Sequence, residues 1–189
     1  QSYDGYTLFA PAVSDTTYLI NNCGEKVHSW FTNTTPGNSV YLLENGLLLR
    51  TGKALNERFG AGGNGGLVQM LDWDSNLIWE YNASDSSFCQ HHDIEPLPNG
   101  NILMLLWVTH TPEEAKQAGR IIYPNELWSE KVIEVKPDLV NGGGEIVWEW
   151  DSWDHYVQDN SEEFDNYGDV SNPRKININY STREQTDRD

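Results

Sequence analysis

The stretch Val68 to Tyr81 reads VQMLDWDSNLIWEY, two runs of alternating apolar residues joined by a turn of Asp, Ser and Asn. Period-two alternation around a polar turn is the pattern of a β-hairpin with one buried face. Two other segments share the plan: YLINNCGEKVHSWF from Tyr18 to Phe31, and VIEVKPDLVNGGGEIVWEW from Val132 to Trp150. The first two are each followed by a second hairpin of closely similar design, YLLENGLLL from Tyr41 and EPLPNGNILML from Glu95. There Asn45-Gly46 and Asn99-Gly100 supply the positive φ that a tight turn requires. Recurring units of about 40 to 50 residues with four short antiparallel strands are the signature of β-propeller blades. The sequence therefore predicts an all-β fold of about three blades, with repeats near 6–65, 66–110 and 128–180 in a single partial propeller domain.

The tryptophans fit this plan. Trp30, Trp73, Trp79, Trp148 and Trp150 fall in or beside the hairpins, where flat side chains fill the space between stacked sheets. DWDSN at Asp72 opens like a calcium loop but lacks the glycine and distal glutamate of an EF-hand, and is read as a hairpin turn. THTPEEAKQAG (Thr109 to Gly119) breaks the β pattern. Thr111 as N-cap, Pro112 at the first helical position, Glu114 completing a capping box and Gly119 as the stop predict a short helical insertion over 111–119, between the second and third repeats. Beyond Trp150 the chain is polar, acidic and aromatic without alternation, which predicts a long loop. Residues 181–189 have nothing to bury and are expected to form a mobile tail.

Charge narrows the partners. Of the 189 residues, 12 are Lys or Arg and 29 Asp or Glu, a formal net charge of -17. That field repels polyphosphates and anionic membrane surfaces, which argues against nucleic-acid binding. The longest apolar run, Ile102 to Val108, falls far short of the roughly 20 residues that span a bilayer, so no membrane insertion is expected. An N-terminal Gln fits removal of an export signal and equally an arbitrary boundary; secreted or periplasmic placement is the expectation taken forward. Cys23 and Cys89 admit a disulfide in an oxidising compartment or two free thiols. Short Asn-x-Ser/Thr sequons start at Asn33, Asn82 and Asn179.

The ordered motifs HHDIEPLPNGNILMLLW, EEAKQAGR, VIEV, IVWEWDSWDHYVQD and NYGDV resemble the bacterial arylsulfotransferase-like proteins, aryl-sulfate sulfotransferases with a six-bladed β-propeller, over about Tyr18 to Asn179. The resemblance implies cofactor-independent sulfuryl transfer from a phenolic sulfate ester to a phenol acceptor, through a transiently sulfated histidine. A neutral imidazole nitrogen is nucleophilic near neutral pH, and a covalent intermediate divides one difficult displacement into two easier ones. Charge developing on the sulfuryl oxygens and the departing phenolate calls for cationic or hydrogen-bonding groups around them.

His91, His92, His155 and Arg120 are the candidate catalytic residues, with Asp93 and Trp153 as substrate contacts. If the stretch before Ile94 is extended, His91 and Asp93 project to one side and His92 to the other. His92 is then the channel-facing residue, with Asp93 bonding backbone or orienting His91. The alternative is that HHD satisfies buried polar groups of a loop, that His155 is solvated or paired with Asp154, and that Arg120 pairs with a carboxylate. His28 and His110 read as ordinary strand and loop residues. No thiolate pair or HExxH spacing supports zinc; no cofactor is expected, with calcium binding at most incidental. Three repeats make about half of a six-bladed propeller, so the histidine nucleophile of the resembling enzymes is not matched to one position here. The count implies that the remaining blades or another copy complete the structure. A second functional class, a non-catalytic extracellular module for binding or assembly, stands beside the enzyme.

Overall fold

The computed structural model describes residues 3–122 and 125–180; the expected tail at 181–189 lies outside them. The fold is all-β with a single short α-helix among the described residues. β1 (Tyr6–Phe9), β2 (Thr16–Asn21) and β3 (Lys26–Phe31) form a three-stranded antiparallel sheet. β4 (Pro36–Leu42), β5 (Leu48–Lys53), β6 (Gly66–Leu71) and β7 (Leu77–Asn82) form a four-stranded antiparallel sheet in sequential order. β8 (Phe88–Pro96), β9 (Ile102–His110), β10 (Leu127–Pro137) and β11 (Gly144–Asp151) form a third sheet, again of four neighbouring strands in sequence. These are the sheets from which propeller blades are built.

The repeat is out of phase with the sequence expectation. The hairpin at Tyr18–Phe31 joins β1 and not the Asn-Gly hairpin that follows it, while each Asn-Gly hairpin joins the Asx-turn hairpin after it. The sheets thus span 6–31, 36–82 and 88–151 in place of 6–65, 66–110 and 128–180. Alternation identifies a hairpin but not its neighbour, because neighbour choice is made by packing between sheets. The helix α1 (Pro112–Gln117) is as expected in its cap: the Thr111 side chain accepts from the Glu114 N–H, and the Glu114 carboxylate accepts from the Thr111 N–H. It connects β9 to β10 inside the third sheet's sequence and does not separate two repeats.

Contacts group the chain into two compact units where the sequence suggested one domain: Gln1–Leu106 with Ile133–Trp148, and Trp107–Val132 with Glu149–Asp189. In the first unit the middle sheet is buried on both faces. Leu48 and Leu71 point into one cluster with Leu19 and Trp30 of the first sheet. Their neighbours Leu49 and Met70 point into another with Ile94, Ile102, Met104, Ile133 and Val135 of the third. Successive residues of one strand thus serve opposite cores, as the pleat demands. On the face toward the first sheet a polar row crosses the strands: Arg50 Nη1 donates to Gln69 Oε1 (3.0 Å), and Gln69 Nε2 donates to Glu80 Oε2 (2.7 Å). Arg50 also donates to the Thr34 hydroxyl and carbonyl, and its burial lowers its pKa to about 10.

The three hairpins of the opening pattern share one turn chemistry. Asp72 Oδ1 accepts from the N–H groups of Asp74 and Asn76, Asp138 Oδ1 from those of Val140 and Asn141, and Asn21 Oδ1 from those of Cys23 and Glu25. These are Asx turns, so DWDSN is a turn as expected. Cys23 is exposed and Cys89 buried, both as free thiols.

In the second unit the region expected to be a long loop is partly organised. A 3₁₀ turn at Ser152–His155 leads into β12 (Tyr156–Val157), which pairs in parallel with β13 (Ile176–Asn177). The fully buried Gln158 holds the intervening segment by donating to the carbonyls of Ser161 and Asp165. No helix among the described residues is long and apolar enough to cross a membrane.

Candidate functional site

His91, His92 and Asp93 lie in β8, in the first unit. The expectation of a fully extended strand fails at His92, whose φ is 51°. This left-handed conformation is uncommon for any residue but glycine, and such departures concentrate at functional sites. Its cause is the glycine-rich stretch Gly60–Gly66, which lies along the strand. The His92 N–H donates to the Gly63 carbonyl (2.7 Å), the Gly65 N–H donates to the Gln90 carbonyl (3.0 Å), and Asn64 bridges His91. The His92 ring packs over Gly63 so closely that a Cβ there would stand 2.4 Å from Cε1 and 2.5 Å from Nε2.

Because the backbone turns at His92, the two rings do not diverge to opposite faces. His91 is buried at 3% exposure while His92 is exposed, and their Nδ1 atoms are 2.9 Å apart in a hydrogen bond between perpendicular rings. One of these nitrogens must carry the proton and the other accept it. Asp93 bonds backbone, as one of the two expected roles had it: Oδ1 accepts from the Ile94 N–H (2.9 Å). It also accepts from the Ser39 hydroxyl (2.6 Å) and from the Tyr41 hydroxyl (3.1 Å). Burial, and then the adjacent Asp93 carboxylate, push the Tyr41 phenol up to about 12. Ser39 Oγ further lies 2.8 Å from the His92 carbonyl, tying β4 to the turn in β8. Ser39, Tyr41 and Gly63 were not singled out from the sequence, although the run GAGGNGG from Gly60 is a visible signal of close backbone approach.

The remaining candidates lie in the second unit. His155 is half-buried and stacks on Trp150, ring centroids 5.0 Å apart and 18° from parallel. Arg120 follows α1, and its Nη1 donates to the carbonyl of Ile178, the residue after β13. Trp153 stacks flat on His110 at 3.6 Å and 8°, with Tyr156 against its edge. His110, read from the sequence as an ordinary residue, is thus the centre of its own polar and aromatic cluster. Its Nε2 lies 2.7 Å from the Ser129 hydroxyl, and burial lowers its pKa against the opposing pull of Glu114 and Asp151. Its stacking partner is remote in sequence, so no local pattern announces it. His28 stacks on Trp73 and bonds its carbonyl, in keeping with a packing role.

The structure therefore brings together His91, His92 and Asp93 in one unit, and Trp153 with His110, and His155 with Trp150, in the other. Shallow concavities line Lys136–Glu145 and Asp4–Cys23, and neither includes a candidate residue.

No protein-family model matches the chain, and no curated protein matches it. Among solved structures it is similar to a protein of unknown function from Bacteroides caccae, at 14% identity and a TM-score of 0.47. The match covers 79% of this chain and 41% of that one, so the chain spans less than half the length of its neighbour.

Proposed function

We propose that the chain carries an arylsulfotransferase-like site in which His92 accepts a sulfuryl group from a phenolic sulfate and passes it to a phenol. The observation behind this reading is the imidazole pair. An exposed histidine in a left-handed backbone conformation is braced from below by Gly63 and hydrogen-bonded from behind by a buried histidine. With Nδ1 committed to His91, transfer is assigned to Nε2. When His92 Nδ1–H donates to His91, Nε2 carries the lone pair.

In the first step Nε2 attacks sulfur, an N–S bond forms, the S–O bond to the aryl group breaks, and the phenolate leaves with the bonding pair. In the second a phenol oxygen attacks sulfur, the N–S pair returns to Nε2, and the phenol proton passes to solvent base. A buried partner that accepts from Nδ1 stabilises the positive charge on the sulfated ring. Extracytoplasmic placement accompanies this reading as a further part of the proposal.

The test is release of para-nitrophenolate from para-nitrophenyl sulfate in the presence of phenol, comparing the parent with His92→Ala and His155→Ala. The reading expects loss of transfer in His92→Ala. Unchanged transfer in that variant, or none in the parent, overturns it.

A further inference from the structure

Asparagine is followed by glycine four times in the chain, at Asn45-Gly46, Asn64-Gly65, Asn99-Gly100 and Asn141-Gly142. Such a pair can close on itself: the glycine amide nitrogen, with no side chain beside it, attacks the asparagine Cγ and expels ammonia. The dipeptide alone makes the four equal. Their surroundings in the first unit do not.

Two of the pairs sit in turns built alike. In the β4–β5 turn Asn45 Oδ1 accepts from the Leu47 N–H (3.1 Å), and the Gly46 N–H donates to the Leu43 carbonyl (2.9 Å). In the β8–β9 turn Asn99 Oδ1 accepts from the Asn101 N–H (3.0 Å), and the Gly100 N–H donates to the Leu97 carbonyl (2.9 Å). The two turns differ at the leaving group. Asn99 Nδ2 donates to Glu134 Oε1 (3.1 Å), whereas Asn45 Nδ2 has no acceptor among the described residues. Asn141 Nδ2 is held as Asn99 is, by Asp138 Oδ2 (2.9 Å). At Asn64 the nucleophile is shut away. Gly65 is buried, its N–H donates to the Gln90 carbonyl (3.0 Å), and Gln90 Oε1 lies 2.2 Å from where a Cβ would stand. Asn45 is thus the exposed member of the four whose carboxamide nitrogen nothing holds.

We propose that Asn45 is a site of spontaneous deamidation, converted through a succinimide to aspartate and isoaspartate while the other three pairs persist. Hydroxide takes the Gly46 amide proton, and the nitrogen forms a bond to Asn45 Cγ. The Cγ–Nδ2 bond then breaks, and ammonia leaves with a proton from water, which regenerates the hydroxide. A second water opens the ring at one of its two carbonyls. The Leu47 N–H on Oδ1 stabilises the negative charge that gathers there during attack, as an oxyanion donor does. In the isoaspartyl product the main chain runs through the former side chain and is longer by one CH2. The lengthening falls where the Leu43 N–H donates to the Leu47 carbonyl (2.9 Å) and Leu42 faces Leu48. It therefore loosens the hairpin that carries Ser39 and Tyr41 on β4 and Arg50 on β5. The inference is independent of the chemistry assigned to His92.

The test holds the parent at mildly alkaline pH and physiological temperature, folded in buffer and unfolded in concentrated guanidinium chloride, and samples both over time by peptide mass spectrometry. All four pairs are read in each sample for the mass gained when amide becomes acid, with chromatography separating aspartyl from isoaspartyl peptides. In buffer Asn45 is expected to convert at least about tenfold faster than Asn99, the factor implied by breaking one hydrogen bond to a carboxylate. In denaturant the four rates are expected to converge. Glu134→Ala is expected to raise Asn99 toward the rate of Asn45 and to leave Asn64 and Asn141 unchanged. A folded parent in which any of the other three keeps pace with Asn45 overturns the proposal, as do equal ratios in buffer and denaturant. A folded Glu134→Ala in which Asn99 stays slow overturns it too. The parent alone gives the ratios, so the proposal is decided even where that variant unfolds and all four rates rise together.

Discussion

The imidazole of His92 lies on Gly63, whose carbonyl accepts the His92 N–H at 2.7 Å and whose missing side chain leaves the space that the ring fills. Gly63 itself has a φ of +94°. Gly63→Ala therefore forces both a disfavoured backbone and a clash with the ring. It is expected to cost about 1 to 3 kcal/mol in urea unfolding and to reduce sulfuryl transfer as His92→Ala does. Gly62→Ala is the control, because a Cβ there meets nothing within 4 Å.

The hydrogen bond from the Trp79 indole N–H to the Gly143 carbonyl (2.6 Å) carries stability between two sheets of the first unit. Trp79→Phe keeps a ring in the core but removes the donor to the Gly143 carbonyl, which still accepts from the Asp138 N–H. A loss of about 1 kcal/mol is expected for the hydrogen bond, against about 3 to 5 kcal/mol for Trp79→Ala, which also opens a cavity. Equal losses in the two variants would contradict the role given to the indole N–H.

Arg50 is a buried cation that donates to Gln69 Oε1, and Gln69 in turn donates through Nε2 to the Glu80 carboxylate. A lysine presents a single ammonium and cannot span Gln69 Oε1 and both Thr34 oxygens. Arg50→Lys is expected to lose about 1 to 3 kcal/mol in chemical denaturation. No loss would show that the row across the middle sheet is incidental.

His110 predicts a pH dependence. Its folded-state pKa is lowered, chiefly by burial, so below the ordinary histidine range the unfolded chain binds the proton more readily than the folded one. The stability contributed by the neutral ring is fully present above that range and is lost as pH falls through it. His110→Gln is expected to flatten this slope in unfolding experiments between neutral and mildly acidic pH, with tryptophan fluorescence reporting the stacked Trp153.

What the sequence made legible was local. The Asx turns at Asn21, Asp72 and Asp138, the Asn-Gly turns and the Thr111 capping box each act within a few residues, and all formed. The pairing of hairpins into sheets was not legible, because β5 is buried at almost every position and carries no alternation to say which core it serves. The geometry at His92 escaped for a related reason. Its left-handed backbone is imposed by Gly63, a partner remote in sequence, so an argument from strand alternation placed His91 and His92 on opposite sides when their Nδ1 atoms are hydrogen-bonded. His110 depends on Trp153 in the same nonlocal way.

The most direct test of the central claim is peptide mass spectrometry after brief exposure of the protein to para-nitrophenyl sulfate without acceptor, quenched at alkaline pH. The account predicts the added mass of one sulfuryl group on the peptide containing His92, lost on addition of phenol and absent from His92→Ala. A sulfuryl group on another residue, or none on any peptide while para-nitrophenolate is released, would contradict it.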